Sequence, residues 1–130
     1  MKRTLLSFIA LATFQLTFAQ ADVKDRVVAA ISGGNVNALA EQFVPSVDLT
    51  VLSNSDHYSK AQATGMLRKF FDEHEPRSLR IEHEGTSKMG DSYYIGQLTT
   101  ANGTFRVTFF LKRQGESSLV KQLRIENITK

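Results

Sequence analysis

The dipeptide Asn102-Gly103 is the feature of this sequence that most limits how the chain can fold. It separates two stretches in which apolar and polar residues alternate, as expected of strands that each bury one face. Asn-Gly is the strongest short signal for a two-residue hairpin loop, because a type I′ turn needs positive φ at both central positions. The sequence therefore predicts an antiparallel hairpin with Asn102 and Gly103 as its loop.

This register gives the hairpin two different faces. Three pairs make one face almost wholly apolar: Leu98 with Val107, Gly96 with Phe109, and Tyr94 with Leu111. The other face pairs Ile95 with Phe110 and Tyr93 with Lys112. Tyr93, Ile95 and Phe110 then form an apolar cluster with a polar rim, the composition expected at the centre of an interface. The cluster predicts a homodimer formed through this outer face. The alternatives are that a twisted sheet tolerates the three residues, or that the segment near Ile128 covers them.

The other elements follow from apolar spacing and from capping residues. Helical spacing predicts a helix that Gly33-Gly34 ends, then a second helix with Val36, Leu39, Ala40 and Phe43 on its apolar side, capped by Asn35 and ended by Pro45. Residues 47–51 alternate as a short strand with Asp48 facing solvent, and Asp56-His57 lies in a loop. Ser59 and Gln62 form a capping box for a third helix, which Pro76 ends. Two more strands flank the hairpin, one near 79–84 and one from Leu119 onward.

The order is therefore two helices, a strand, a helix, then four strands in a meander. A sheet with one apolar face must cover that face, and the helices are the available cover. The sequence predicts an α+β fold in which a curved antiparallel sheet of about four to five strands wraps around the N-terminal helices.

This order resembles the nuclear transport factor 2-like (cystatin-related) superfamily. The chain is also similar to a family of small exported bacterial proteins of unknown function with that fold, through residues 58–63, Phe70-Phe71 and residues 122–126. The resemblance covers essentially the whole mature chain and implies a cone-like domain. It also implies sheet-to-sheet pairing, which many superfamily members show. The motifs carry no chemistry, since cap, core or strand roles explain each of them, and fold does not imply function.

The N-terminus has the three parts of a secretory signal peptide. Lys2 and Arg3 precede an apolar stretch over 5–18, and Ala19 is a small residue at the cleavage point. We expect cleavage of residues 1–19, leaving a single domain over 20–130; cleavage after Ala21 is the alternative. The mature protein would then be periplasmic or secreted, without a membrane span. Since the chain has no cysteine, it is not a lipoprotein.

Charge argues against a nucleic-acid partner. The chain has 16 basic and 13 acidic residues, and two of the basic ones leave with the signal peptide, so 14 remain against 13. These basic residues are spread singly among acidic ones, with no stripe to follow a phosphate backbone.

Three side chains could give the inside of the cone polar groups. His83 shares the inward phase of its strand with Leu79 and Ile81, Tyr94 lies on the apolar face of the hairpin, and Lys121 lies between Leu119 and Leu123. Lys121 either extends out at the end of the sheet or lies behind a bulge. Together they are the candidate ligand-binding set. The alternative is that all three are polar tips at the rim of a filled core.

Two functions fit these residues. The favoured one is an exported non-catalytic domain that binds a small apolar or amphipathic ligand in the cone, or whose filled cone makes it an interaction module. The alternative is a lyase or isomerase in which His83 and Tyr94 form the catalytic pair, as the superfamily resemblance implies. That alternative requires both side chains to line one cavity. The three histidines lie on separate elements without a metal-binding motif, so we expect no metal and no cofactor.

Overall fold

The structure is a computed structural model and describes residues 23–128. The predicted signal peptide, residues 1–19 or 1–21, lies outside them. The helices are α1 over residues 23–33, α2 (Val36–Glu41) and α3 (Lys60–Glu73). The strands are β1 (Phe43–Val51), β2 (Asn54–Ser59), β3 (Pro76–Thr86), β4 (Ser92–Thr100), β5 (Gly103–Gln114) and β6 (Ser117–Asn127). Within 23–128, no helix combines the length and the apolar character needed to cross a membrane.

Two helix caps form as the sequence predicts. The Asn35 side chain accepts a hydrogen bond from the backbone N–H of Ala38 at 3.1 Å. Ser59 and Gln62 form the reciprocal capping box, each accepting from the other's backbone N–H through a side-chain oxygen. These bonds satisfy N–H groups that have no partner within the helix. The second helix is shorter than predicted, because α2 ends at Glu41 and Phe43 is already the first residue of β1.

All six strands belong to one mixed sheet, in the order β2-β1-β6-β5-β4-β3. The predicted antiparallel sheet of four to five strands is wrong on two counts. β1 and β6 run parallel to each other, and β2 is an additional strand at the edge. β2 contains Asp56 and His57, which were predicted to lie in a loop. Its side chains are nearly all exposed, so it lacks the apolar alternation by which a strand is recognised in sequence.

The β4–β5 hairpin forms in a register two residues away from the predicted one. Thr100 pairs with Gly103, so the loop residues are Ala101 and Asn102. Among residues 23–128, Leu52 is the only non-glycine residue with positive φ, so Asn102 does not adopt a type I′ conformation; Gly103 has φ 140° instead. A shift of two residues leaves every side chain on its predicted face, because strand side chains alternate with a period of two.

The apolar face of the sheet, called the inner face below, contacts the helices. Phe70 of α3 lies edge-on against Phe105 of β5, with ring centroids 5.1 Å apart. Ser32 of α1 accepts a hydrogen bond from the backbone N–H of Leu79 at 3.0 Å. Nine core side chains of the sheet are completely buried: Phe43, Val47, Leu49, Leu98, Val107, Phe109, Val120, Leu123 and Ile125.

A bulge in β3 changes which residues face this core. Ile81 pairs with Gly96 and His83 pairs with Ile95, so Glu82 is an extra residue on its strand. The prediction that His83 faces the core is therefore wrong, since the bulge reverses the phase of the residues after it. Gly96 permits the close approach of the two strands here. A Cβ atom on it would lie 2.5 Å from the carbonyl oxygen of Arg80.

Candidate functional site

The side chains with available polar chemistry lie mainly on the outer face of the sheet, opposite the face that contacts the helices. Cross-strand pairing places five outer-face residues in one line across β2, β1, β6, β5 and β4: His57, Asp48, Gln122, Phe110 and Tyr93. We call this line the outer row. It is polar over β2, β1 and β6, and aromatic over β5 and β4.

The aromatic part of the outer row includes the predicted interface cluster. Tyr93 pairs directly with Phe110, and their ring centroids are 5.6 Å apart. Ile95 pairs with Thr108, which places Ile95 diagonally across from Phe110. The three side chains, called the outer patch below, are all partly exposed. The Tyr93 hydroxyl lies over Gly85 of β3, where a Cβ atom would come within 2.6 Å of it.

The polar part of the outer row borders a groove of about 580 Å³. Its walls come from β1, β2, β5 and β6, and the lining residues are Val44, Pro45, Ser46, Asp48, His57, Lys112, Gln114, Lys121 and Gln122. Asp48 accepts a hydrogen bond from the Gln122 amide at 3.3 Å. None of the three outer-patch residues lines this groove.

Lys121 lies behind a bulge, which is one of the two alternatives that the sequence left open. The pairing of β5 with β6 shifts between Phe110 and Leu111, so Lys121 is the extra residue of β6. Its ammonium group donates to the carboxylate of Asp91, forming a partly buried ion pair. This pairing was not identified from the sequence. No local signal could have shown it, since the two residues are 30 positions apart.

Tyr94 is a core residue. Its ring stacks on Phe109 with centroids 5.0 Å apart, and the Lys24 ammonium of α1 lies 5.7 Å from the centroid of the Tyr94 ring. Burial raises the pKa of the Tyr94 hydroxyl, because the tyrosinate anion would lose its hydration. The carboxylate of Glu84, and more weakly that of Asp25, raises the pKa further, while a hydrogen bond with Ser92 opposes them.

The predicted polar set therefore does not converge on one pocket. Tyr94 is buried on the inner face, whereas His83 is exposed on the outer face opposite Ile95. Neighbouring residues of a strand point to opposite faces, so the pairing of His83 with Ile95 separates it from Tyr94. Lys121 borders the groove instead. The arrangement that the isomerase hypothesis requires, His83 and Tyr94 lining one cavity, does not form.

Some concave surface exists near His83. A shallow cavity of about 300 Å³ is lined by Glu82, His83, Ile95, Gly96, Gln97, Arg106 and Ile128. Ile128 thus lies beside one residue of the outer patch without burying the patch.

Within residues 23–128, no three histidine, aspartate or glutamate side chains lie close enough together to hold a metal ion.

The strand order and the helices on one face define the class of this protein. It is an α+β domain with the fold of nuclear transport factor 2-like and cystatin-fold proteins. A cystatin-fold protein from Novosphingobium aromaticivorans matches with a TM-score of 0.56 at 10% identity, over 80% of this chain and 94% of that one. A protein named as a calcium/calmodulin dependent protein kinase II association domain, from Xanthomonas campestris, matches with a TM-score of 0.62 at 16% identity, over 85% and 86%.

More narrowly, the chain belongs to the family described as domain of unknown function DUF4783, whose model matches residues 24–126. The crystal structure of a member from Bacteroides uniformis is similar, with a TM-score of 0.74 at 31% identity. The match covers 82% of this chain and 97% of that one. No curated protein matches the chain.

Proposed function

We propose that the mature chain is an exported interaction domain that pairs with a second copy of itself through the outer face of its sheet. The observation that carries this proposal is the outer patch, in which Tyr93, Ile95 and Phe110 lie side by side and partly exposed. An apolar cluster with a polar rim is what an interface centre requires.

The packing of the inner face favours an interaction domain rather than a domain that binds a ligand in the cone. In this proposal the curved sheet wraps around the helices and side chains fill its interior. Leu98, Val107 and Phe109 are completely buried there. Five concave regions of residues 23–128 lie on the outer face or along the surfaces of the helices.

One fold neighbour is named as an association domain, which is consistent with self-association on this fold. At 16% identity the likeness shows the fold alone, so the outer patch of this chain carries the argument.

Analytical ultracentrifugation tests the homodimer. We expect the wild-type mature chain, residues 20–130, to sediment as a dimer at tens of micromolar. The double variant Ile95→Glu and Phe110→Glu should be a folded monomer, since it places charges in the patch and leaves the core intact. Thr104→Glu is the control, because this residue is exposed on the same sheet outside the patch. A wild-type protein that sediments as a monomer would refute the pairing.

N-terminal sequencing of the protein secreted to the periplasm of a bacterial host tests export. We expect the mature chain to begin at Gln20, or at Asp22 for the alternative cleavage. A chain that begins at Met1 would refute it.

A further inference from the structure

We propose that Asn102 is a site of covalent modification by water, and that its conversion to aspartate or isoaspartate releases the tip of the β4–β5 hairpin from the end of α3. Asn102 is exposed and directly precedes Gly103, the first residue of β5. The outer patch contains neither residue, so this inference does not depend on the homodimer.

The reaction joins the backbone nitrogen of Gly103 to Cγ of the Asn102 side chain. Once this nitrogen has given its proton to hydroxide, its electron pair forms the bond to Cγ. The Cγ–Nδ2 bond breaks, and Nδ2 leaves as ammonia with a proton from water, which gives a succinimide ring. Water then adds to one of the two ring carbonyls and opens the ring to aspartate or isoaspartate, and nothing is oxidised or reduced.

The glycine makes Asn102 the favoured asparagine for this reaction. Glycine has no Cβ to hinder the approach of its nitrogen to Cγ, and its backbone torsions are the least restricted. Among the asparagines of the sequence, only Asn102 precedes a glycine. The space around Gly103 is open as well, since the nearest neighbour of a Cβ atom placed on it would lie 3.8 Å away, on the Phe105 ring.

The folded structure restrains the Asn102 side chain and the backbone around it. Nδ2 of Asn102 donates to the Glu73 carbonyl at 3.0 Å, and the side-chain oxygen lies 2.9 Å from Nδ1 of His74. The Thr100 hydroxyl accepts from the Asn102 backbone N–H at 3.3 Å and donates to the Gly103 carbonyl at 2.7 Å. Ring closure turns the side chain toward its own backbone, so the bonds to α3 must open first. The rate then follows the population of locally opened molecules.

The product cannot keep the contact with α3. A carboxylate has no N–H group and cannot donate to the Glu73 carbonyl. It also brings a negative charge to the C-terminal end of a helix, where the potential is already negative. Isoaspartate in addition lengthens the backbone of the loop. We therefore expect the hairpin tip to separate from α3, together with the bond from the Ala101 N–H to the Glu75 carbonyl.

The first test follows conversion of Asn102 in the mature chain, residues 20–130, near neutral pH. Peptide mass spectrometry detects the exchange of the amide nitrogen for oxygen. We expect the folded protein to convert about five- to fiftyfold more slowly than the chain unfolded in guanidinium chloride, the factor that one or two net hydrogen bonds give. No conversion of the folded protein over many hundreds of half-lives of the unfolded chain would overturn the site. Equal rates would overturn the restraint by α3.

Two variants test the contact with His74. His74→Phe keeps a ring against Phe70 and Phe105 and removes the nitrogen beside Asn102, so the folded variant should convert about two- to fivefold faster than wild type. Lys69→Gln, an exposed change on α3, should convert at the wild-type rate. Equal rates in all three proteins would overturn the role of His74, and the comparison of folded with unfolded wild type needs no variant.

Asn102→Asp reproduces one product and tests the release of the hairpin tip. Hydrogen exchange of the Ala101 amide should be several-fold faster in this variant than in wild type, because its bond to Glu75 opens. Thr104→Glu places the same charge elsewhere in the hairpin and should leave this exchange unchanged. Unchanged exchange in Asn102→Asp, or an equal increase in both variants, would overturn the release.

Discussion

The side-chain amide of Asn102 donates a hydrogen bond to the backbone carbonyl of Glu73 at 3.0 Å, although 29 residues separate them. The Asn102 carbonyl oxygen lies 2.9 Å from Nδ1 of His74, and the backbone N–H of Ala101 donates to the carbonyl of Glu75. The last carbonyls of a helix have no partner within it. The tip of the β4–β5 hairpin supplies such partners to the end of α3, which explains why Asn102 does not adopt its expected turn conformation.

This contact predicts that Asn102→Ala destabilises the protein by about 1 kcal/mol, because the Glu73 carbonyl loses a protein donor. Urea unfolding of the variant measures the loss. Thr104→Ala, an exposed change in the same hairpin, should stay within about 0.5 kcal/mol of wild type. Equal stability of Asn102→Ala and wild type would show that the contact contributes nothing.

The close approach of β3 and β4 predicts opposite effects of two glycine substitutions. Gly96→Ala should destabilise by roughly 1–3 kcal/mol, because its Cβ would meet the Arg80 carbonyl at 2.5 Å. Gly65→Ala, in the interior of α3 with no atom within 4 Å of its Cβ, should stabilise by about 0.5–1 kcal/mol. Thermal unfolding of both variants measures the two effects. A Gly96→Ala variant as stable as wild type would contradict the close approach of β3 and β4, and a destabilised Gly65→Ala would contradict the open space described beside α3.

The aromatic cluster at the end of α3 predicts a large loss for Phe70→Ala. Phe70 is 3% exposed and its ring contacts Phe71, His74 and Phe105. Truncation should cost about 3–5 kcal/mol, a large share of a small domain's stability. Lys69→Ala on the exposed side of the same helix is the control. Urea unfolding with both Phe70→Ala and Phe71→Ala within about 1 kcal/mol of wild type would show that α3 does not pack as described.

Tyr94 predicts a loss of stability at alkaline pH. Its pKa is raised in the folded protein, so above about pH 10 the unfolded chain loses this proton while the folded chain keeps it. The contribution is present below that pH and decreases as pH rises toward the folded pKa. Unfolding free energies of wild type and Tyr94→Phe should therefore differ by a constant up to about pH 10, and the wild type should lose stability relative to the variant above it. A constant difference throughout would contradict the assignment.

The parts of this fold that depend on local sequence could be predicted. The Ser59–Gln62 capping box and the Asn35 cap involve residues three positions apart. The inner face of the hairpin was also correct, because a register error of two residues preserves the alternation of side chains.

The errors arose where distant contacts decide the local geometry. At the bulge at Glu82, Gly96 of the neighbouring strand permits the close approach of the two strands, and the bulge places His83 on the other face. Lys121 found its partner in Asp91, and β2 became a strand by pairing with β1 although its own pattern is polar. A candidate site built on strict strand alternation was therefore reliable for Tyr94 and unreliable for His83.

The parallel pairing of β1 with β6 has a consequence for how the chain folds. Asp48 and Gln122 are partners 74 residues apart, and the two strands lie between β2 on one side and the β5-β4-β3 meander on the other. During synthesis the β1–β2 pair and the β3-β4-β5 meander can each form, but they stay unjoined until β6 has left the ribosome. Such non-local pairing slows folding and leaves strand edges exposed meanwhile. Translation that stops before Ser117 would therefore release two open sheet edges, and we expect those fragments to aggregate.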